Sequence, residues 1–261
     1  MCSANSAKSL LCELTSNSRV NSEVFIMHFA WNGTHPKAGQ FFMVKPRQSG
    51  VFLPRPISVC EFNPAQSSVK FLIAKRGKGT EELARMQTGE KAELTGPLGN
   101  TWEEFLPESK NAALIGGGAG IAPLIALTSE KPDCNFHFYA GFRHGFREKE
   151  EENAMLGFAS NAKKLVVTAE DGRNALSGRI VDFFFEPQNY DAVFACGQQP
   201  MLKAVVEKCR KKNVSCFVSM EKLMACGVGA CLGCTVRTKN GNRRCCADGP
   251  IFNAGELYFD E

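Results

Sequence analysis

Residues 112–130 read AALIGGGAGIAPLIALTSE. A short apolar run with no polar face leads into Gly116, Gly117, Gly118 and Gly120, and a helical stretch follows. That order is the strand, turn and helix with which a parallel sheet takes up a nucleotide. Glycine lets the backbone approach a phosphate closely, and the first N–H groups of the helix face an anion. The glycines do not fit G-x-G-x-x-G, because the sixth place is Ile121, so the reading rests on context.

Outward from this stretch the pattern continues. NFHFYAGF (135–142), KLVVTAE (164–170) and DAVFACG (191–197) alternate with helical runs, the clearest being QPMLKAVVEKCRKK (199–212). Strands without a polar face alternating with helices argue for βαβ units and a parallel sheet covered on both sides. FACGQQPML (194–202) ends a strand at Cys196, so Cys196 and Gly197 are placed to touch a cofactor in the crevice at the strand's carboxyl end; a buried filler thiol is the alternative. The acidic run REKEEE (147–152) reads as the solvated start of a helix.

Before residue 105 the character differs. SLLCEL, EVFIMHFAW, QFFMVK, ISVCEF, VKFLIAK and KAELTG are short strand-like segments separated by Gly, Pro, Asn or Ser, which argues for an antiparallel sandwich or barrel. A helix over TEELARMQ (80–87) is expected to close one end. After about residue 219 the chain turns rich in glycine and cysteine and short of apolar runs, so something other than a core must organise it. The expected fold is α+β and multidomain: an antiparallel β-barrel over 1–104, an α/β parallel-sheet domain over 105–218, and a small C-terminal subdomain over 219–261.

The chain has 261 residues, and Lys and Arg exceed Asp and Glu by only four. No basic stretch carries interleaved aromatics, which sets nucleic acid aside. The amino terminus lacks the basic start and apolar run of a secretory signal, and no run approaches the ~20 apolar residues of a membrane span. A cytoplasmic protein without a membrane partner is expected. There the twelve cysteines are fillers, metal ligands or redox groups rather than disulfides. Cys2, Cys12, Cys60, Cys134, Cys209 and Cys216 are scattered and read as small hydrophobes.

The remaining thiols cluster. In KLMACGVGACLGC (222–234), Cys226 and Cys231 are separated by four residues and Cys231 and Cys234 by two, with a fourth thiol at Cys245 or Cys246. C-x4-C-x2-C plus one distant Cys is the spacing that holds a plant-type [2Fe–2S] cluster. Gly227, Gly229 and Gly233 let the backbone curl so that N–H groups point at sulfur. Structural zinc brings two C-x2-C knuckles or a Cys/His mixture, and no histidine follows His144.

Two further stretches suit anions. FLPRPISVCEF (52–62) sets Arg55 and Ser58 at a restricted turn, suited to a diphosphate; a solvated strand-end charge is the alternative for Arg55. GKGTEEL (77–83) opens a helix at Gly79 and Thr80, which bind an anionic oxygen or simply cap the helix.

Taken in order, RPIS, GKGT, GPLG, GGGAGIAPL, ACGQQPM and CGVGACLGC with CADGP resemble the ferredoxin–NADP reductase superfamily, and within it the electron-transfer subunits of NAD-linked dihydroorotate dehydrogenases. The resemblance implies FAD held by Arg55, Pro56, Ile57 and Ser58, by the backbone of Leu72, Ile73 and Ala74, and by Gly79 and Thr80. It implies NAD against Gly116, Gly117, Gly118 and Gly120, with Cys196 near the nicotinamide. It selects Cys246 as the last ligand beside Cys226, Cys231 and Cys234. It also implies a catalytic FMN-containing dihydroorotate dehydrogenase subunit as partner, in a heterotetramer serving pyrimidine biosynthesis. No general acid or base on the chain is required for the transfer. The chain departs from the family in carrying Gln198 where a proline is usual and Ala74 where a larger polar residue is common. A reductase subunit serving ferredoxin, sulfide or an oxygenase is the alternative enzyme, and a colourless zinc-stapled module the non-enzymatic one. Arg143 leaves NAD against NADP open.

Overall fold

The computed structural model describes residues 8–48, 50–184 and 186–259; Cys2 lies outside the described residues. Six strands open the chain: β1 (Lys8–Arg19), β2 (Val24–Ala30), β3 (Phe41–Pro46), β4 (Arg55–Asn63), β5 (Ser68–Ala74) and β6 (Lys91–Leu98). They close into an antiparallel barrel in the order β1-β2-β5-β4-β3-β6, which leaves no free edge among them. Alternate residues point inward, so Leu14, Met27, Phe29, Phe42, Val44, Phe71 and Leu94 fill the interior. Trp31 meets Phe42 edge-on at 4.7 Å, and Phe42 meets Phe71 edge-on at 5.7 Å, the offset geometry that aromatic quadrupoles favour.

β5 is apolar on both faces for a reason outside the barrel. Val69, Phe71 and Ile73 look inward, while Leu72 packs with Ile26 and Cys60 against the second layer of the molecule. Lys70, the charge in that run, is buried and pairs with Glu61 at 3.3 Å. The expected helix is α1 (Lys78–Arg85), starting two residues early. Its Leu83 enters the barrel core, and Asn17 donates through Nδ2 to the carbonyls of Ala84 and Met86 at its carboxyl end.

The second layer is a sheet with β7 (Asn111–Gly117), β8 (Asn135–Phe142), β9 (Lys164–Ala169), β10 (Leu176–Ser177), β11 (Ala192–Cys196) and β12 (Ser215–Ser219) in the parallel order β10-β9-β8-β7-β11-β12. Successive residues of β7 serve opposite faces. Ala112 and Leu114 pack with α2 (Ala122–Glu130) and α3 (Lys149–Leu156), whereas Ala113 and Ile115 pack with α4 (Ile180–Phe183) and α5 (Gln199–Lys211). Both faces are dry, so the strands carry no polar side. From β7 the chain runs outward to β10, then returns to lay β11 on β7's other flank. The carboxyl ends of β7 and β11 therefore flank the point where strand order reverses, where such sheets take ligands.

The tail forms a hairpin, β13 (Thr235–Thr238) and β14 (Gly241–Arg244), a single-turn α6 (Cys245–Asp248), and β15 (Ile251–Asn253). β15 adds to β12 in antiparallel register, with Ser219 opposite Ile251 and Phe217 opposite Asn253. The sheet is thus seven-stranded with one antiparallel edge, which sequence periodicity over three residues cannot announce. The barrel grips the same segment. Asn100 donates through Nδ2 to the Ile251 carbonyl at 2.8 Å and accepts the Ile251 N–H at 3.0 Å, and its own N–H donates to the Gly249 carbonyl at 2.7 Å.

Candidate nucleotide cleft and cysteine loop

A cleft of about 660 Å³ opens over the carboxyl ends of β7, β8, β9 and β11, with the barrel's Val24, Ala74 and Arg76 forming its opposite wall. The glycine run divides its labour here. Gly117 and Gly118 line the cleft, and Gly118 holds φ +55° with open space where a side chain would stand. Gly116 and Gly120 serve packing instead. A Cβ on Gly120 would stand 2.4 Å from the Cys196 carbonyl oxygen, so the turn after β7 lies directly on the turn after β11. Met201, the last residue of the ACGQQPM stretch, seals the same junction, since a Cβ on Gly117 would meet its sulfur at 2.7 Å.

Cys196 itself does not line the cleft. Its side chain is buried, hydrogen-bonded to Ser219, and burial pushes the thiol up to about 12. Gln198 lines the cleft beside Pro200 and Met201. The far wall carries Arg143, His144 and Arg147 after β8, and Glu170 and Arg173 after β9. Asp171 fixes that wall. Its Oδ1 accepts the N–H groups of Gly145 at 2.9 Å and Arg173 at 3.1 Å, and its Oδ2 meets His144 Nδ1 at 3.3 Å. The Gly145 amide, then the Arg173 amide, hold its carboxyl below the usual range. Nothing in the local sequence marks Asp171 for this work.

On the barrel, the Arg55 side chain lies across Gly79, where a Cβ would stand 2.0 Å from Nε. Arg55 also donates through Nη1 to the Leu53 carbonyl at 2.9 Å. Thr80 acts within its own turn: Oγ1 accepts from the Arg76 and Gly77 amides at 2.8 and 3.2 Å. Ile57 and Ile73 point into the barrel and Leu72 into the interlayer core, leaving only their backbone for a ligand. Ser58 and Pro56 are half-buried on β4.

The cysteines gather about one loop. Cys226 Sγ accepts the N–H groups of Val228 at 3.5 Å and Cys231 at 3.4 Å. Cys246 Sγ accepts the Gly229 N–H at 3.1 Å and stands 3.3 Å from Cys234 Sγ. Gly227 and Gly229 take φ +71° and +79°, the left-handed turns that aim these amides. At Cys226, desolvation raises the thiol, but amides of Cys231, Val228 and Ala230 and the Cys231 side chain outweigh it and bring the value down to about 6. The four thiols stand as two pairs, Cys226 with Cys231 and Cys234 with Cys246; among the described residues no three His, Cys, Asp or Glu side chains close into a single metal-holding group. Cys231 is the exposed member, next to Leu232, which holds φ +59° with its side chain outward. Arg244 and Asp248, four residues apart, clamp α6 with Nε–Oδ2 at 3.0 Å and Nη2–Oδ1 at 3.1 Å.

Over 225 residues the sequence is 38% identical to the dihydroorotate dehydrogenase B (NAD(+)) electron transfer subunit of Clostridium acetobutylicum, covering 86% of this chain and 87% of the relative. The counterpart from Caldanaerobacter subterraneus subsp. tengcongensis is 37% identical over 249 residues, 94% of this chain and 96% of that one. The chain belongs to the family of dihydroorotate dehydrogenase B electron transfer subunits. Residues 221–258 match the model of the iron–sulfur cluster binding domain of dihydroorotate dehydrogenase B. In fold, the chain superposes on an NADH-dependent reduced ferredoxin-NADP oxidoreductase with TM-score 0.79 at 24% identity, covering 96% of this chain and 91% of that one. It also superposes on a ferredoxin NADP+ reductase from Neisseria gonorrhoeae with TM-score 0.66 at 18% identity, over 78% and 92% of the two chains.

For a dihydroorotate dehydrogenase B subunit, the donor sets suit their groups. Four thiols with amides aimed at sulfur, and no carboxylate or imidazole among them, match the softness of an iron–sulfur centre and not of a hard cation. A glycine-lined crevice at a switch point, walled by arginines, suits a dinucleotide.

Proposed function

We propose that the protein passes electrons between a dihydroorotate-oxidising partner and NAD, as the electron-transfer subunit of an NAD-linked dihydroorotate dehydrogenase in pyrimidine biosynthesis. A flavin exchanges a hydride with a nicotinamide and single electrons with an iron–sulfur centre, which is why both belong on one chain. Arg55, Pro56, Ile57, Ser58, the backbone of Leu72, Ile73 and Ala74, and Gly79 and Thr80 hold FAD. Gly116, Gly117, Gly118 and Gly120 shape the NAD site, Gly117 and Gly118 by facing the dinucleotide and Gly116 and Gly120 by packing. Cys196 acts from behind that surface, through its backbone against Gly120. Cys226, Cys231, Cys234 and Cys246 would hold the cluster, which supplies one-electron chemistry. The partner is a catalytic FMN-containing subunit, the assembly a heterotetramer, and the compartment the cytoplasm. The chain divides at 104 and 218, with β15 reaching back into the sheet.

One observation carries this reading. The cysteine-bearing tail is seated on the barrel and the sheet together: a Cβ on Gly227 would stand 2.6 Å from Met43 of β3, while β15 pairs with β12 at the sheet edge. That seating supports a one-electron carrier and a two-electron site working together on one chain. The test mixes the anaerobically purified protein with a dihydroorotate-oxidising flavoprotein, dihydroorotate and NAD. NADH forming only when both proteins are present supports the proposal. A pair that leaves NAD unreduced while ferredoxin or sulfide supports turnover would assign the chain to a different reductase complex.

A further inference from the structure

Spacing alone does not choose between the adjacent thiols of α6, but the geometry separates them. Consecutive helical positions point about 100° apart, so Cys245 and Cys246 cannot face one centre. Cys246 faces Cys234 and the Gly229 amide. Cys245, with no exposed surface, turns the other way and donates its thiol to the Met220 carbonyl at 3.1 Å, while its N–H donates to the Cys234 carbonyl at 2.9 Å. Met220 leaves the end of β12, and its N–H donates to the Pro250 carbonyl at 2.8 Å, just past α6. The preceding Ser219 sits in register with Cys196 on β11 and Ile251 on β15, and the Cys196 carbonyl lies under Gly120 of the cleft turn. Direct contacts thus run from the cysteine loop through Cys245 to the turn that lines the nucleotide cleft.

We propose that Cys245 is a positioning residue and not a ligand: by holding the Met220 carbonyl it fixes the helix that carries Cys246 against the strand ends beneath the cleft, and so sets the separation between the cluster and the flavin–nucleotide face. This rests on the cluster-binding reading of the tail. The thiol donates to the Met220 carbonyl, and among the described hydrogen bonds it makes none to the sulfurs of Cys234 or Cys246, so its loss is expected to act through the placement of α6. Electron transfer falls off steeply with distance, so loss of this tether is expected to slow cluster reduction several-fold.

Three variants of the full-length holoprotein test this. Cys245→Ser keeps a donor, Cys245→Val keeps the volume without one, and Cys245→Ala removes both. Iron and acid-labile sulfide, cluster potential, and the rate of cluster reduction after rapid mixing with NADH are measured for each. The expected result is full iron and an unmoved potential in all three, wild-type rate in Cys245→Ser, and cluster reduction slowed several-fold in Cys245→Val and Cys245→Ala with flavin reduction unaffected. Loss of iron in the variants would make Cys245 a ligand and overturn the proposal. Wild-type rates in Val and Ala, or a Ser variant as slow as they are, would overturn it equally. Wild-type protein without iron would instead remove the functional reading itself.

Discussion

Gly120 shows how one hydrogen in place of a methyl group sets the cleft. The atom opposing a new Cβ is a backbone carbonyl, 2.4 Å away, and cannot swing aside as a flexible side chain can. Gly120→Ala is expected to cost ~1–3 kcal/mol of stability and to weaken NAD binding, readable by thermal melting and nucleotide titration; an unchanged melting temperature would show that the two turns are free to part. Gln198 points the other way. Its φ of −65° already suits proline, its carbonyl accepts the Leu202 N–H, and no described group accepts its own N–H. Gln198→Pro is therefore expected to raise stability by ~0.4–1 kcal/mol, measured by denaturant unfolding. The φ at this position is one that either residue adopts. At this scale the sequence was legible for glycine and cysteine, whose chemistry is local. The parts played by Met201, Asn100 and Asp171 were not legible, because each acts on a backbone group brought to it by the fold. Cys196 was placed correctly at its strand end, but the strand's last side chain turns into the core.

Among the elements, the wall after β8 depends on Asp171. Its lowered carboxyl stabilises the folded state above the ordinary value of 3.8, and that stabilisation is lost as pH falls through the lowered folded value. Protection of the 143–147 amides relative to an unfolded chain should be flat from neutral pH to about 4 and fall below it. Asp171→Asn presents an amide to His144 and Arg173, and is expected to weaken NAD binding a few-fold at neutral pH with little change in flavin content; equal affinity would dismiss the wall as a contributor. The helices and most strands follow from periodicity, since β7 alternates its residues between two cores and β5 reads as continuous apolar chain where it is covered twice. β15 and α6 were not legible. Three residues give no period, and both exist because Asn100, β12 and the Arg244–Asp248 pair hold them.

For the whole molecule, the tail is a stitch between barrel and sheet and not an appendage. Asn100→Ala removes a donor and an acceptor from Ile251, and leaving such groups unpaired costs about 1–3 kcal/mol. The variant is expected to lose iron faster than flavin on aerobic storage; parallel loss of both would show that tail and barrel open as one unit. The resemblance in motif order foretold the architecture because each motif marks a junction: GGGAGIAPL at the switch point, GPLG where the tail docks, CGVGACLGC in the loop. It did not foretell that GPLG and CADGP meet, with a Cβ on Gly99 standing 2.5 Å from Pro250. The central claim is that this chain carries a flavin and an iron–sulfur centre together, and chemical analysis of anaerobically purified protein tests it most directly. Iron and acid-labile sulfide in equal amounts, with one FAD per chain and iron lost on Cys231→Ser while the flavin stays, is the expected result. A colourless protein holding zinc, or one with flavin but neither iron nor labile sulfide, would contradict it.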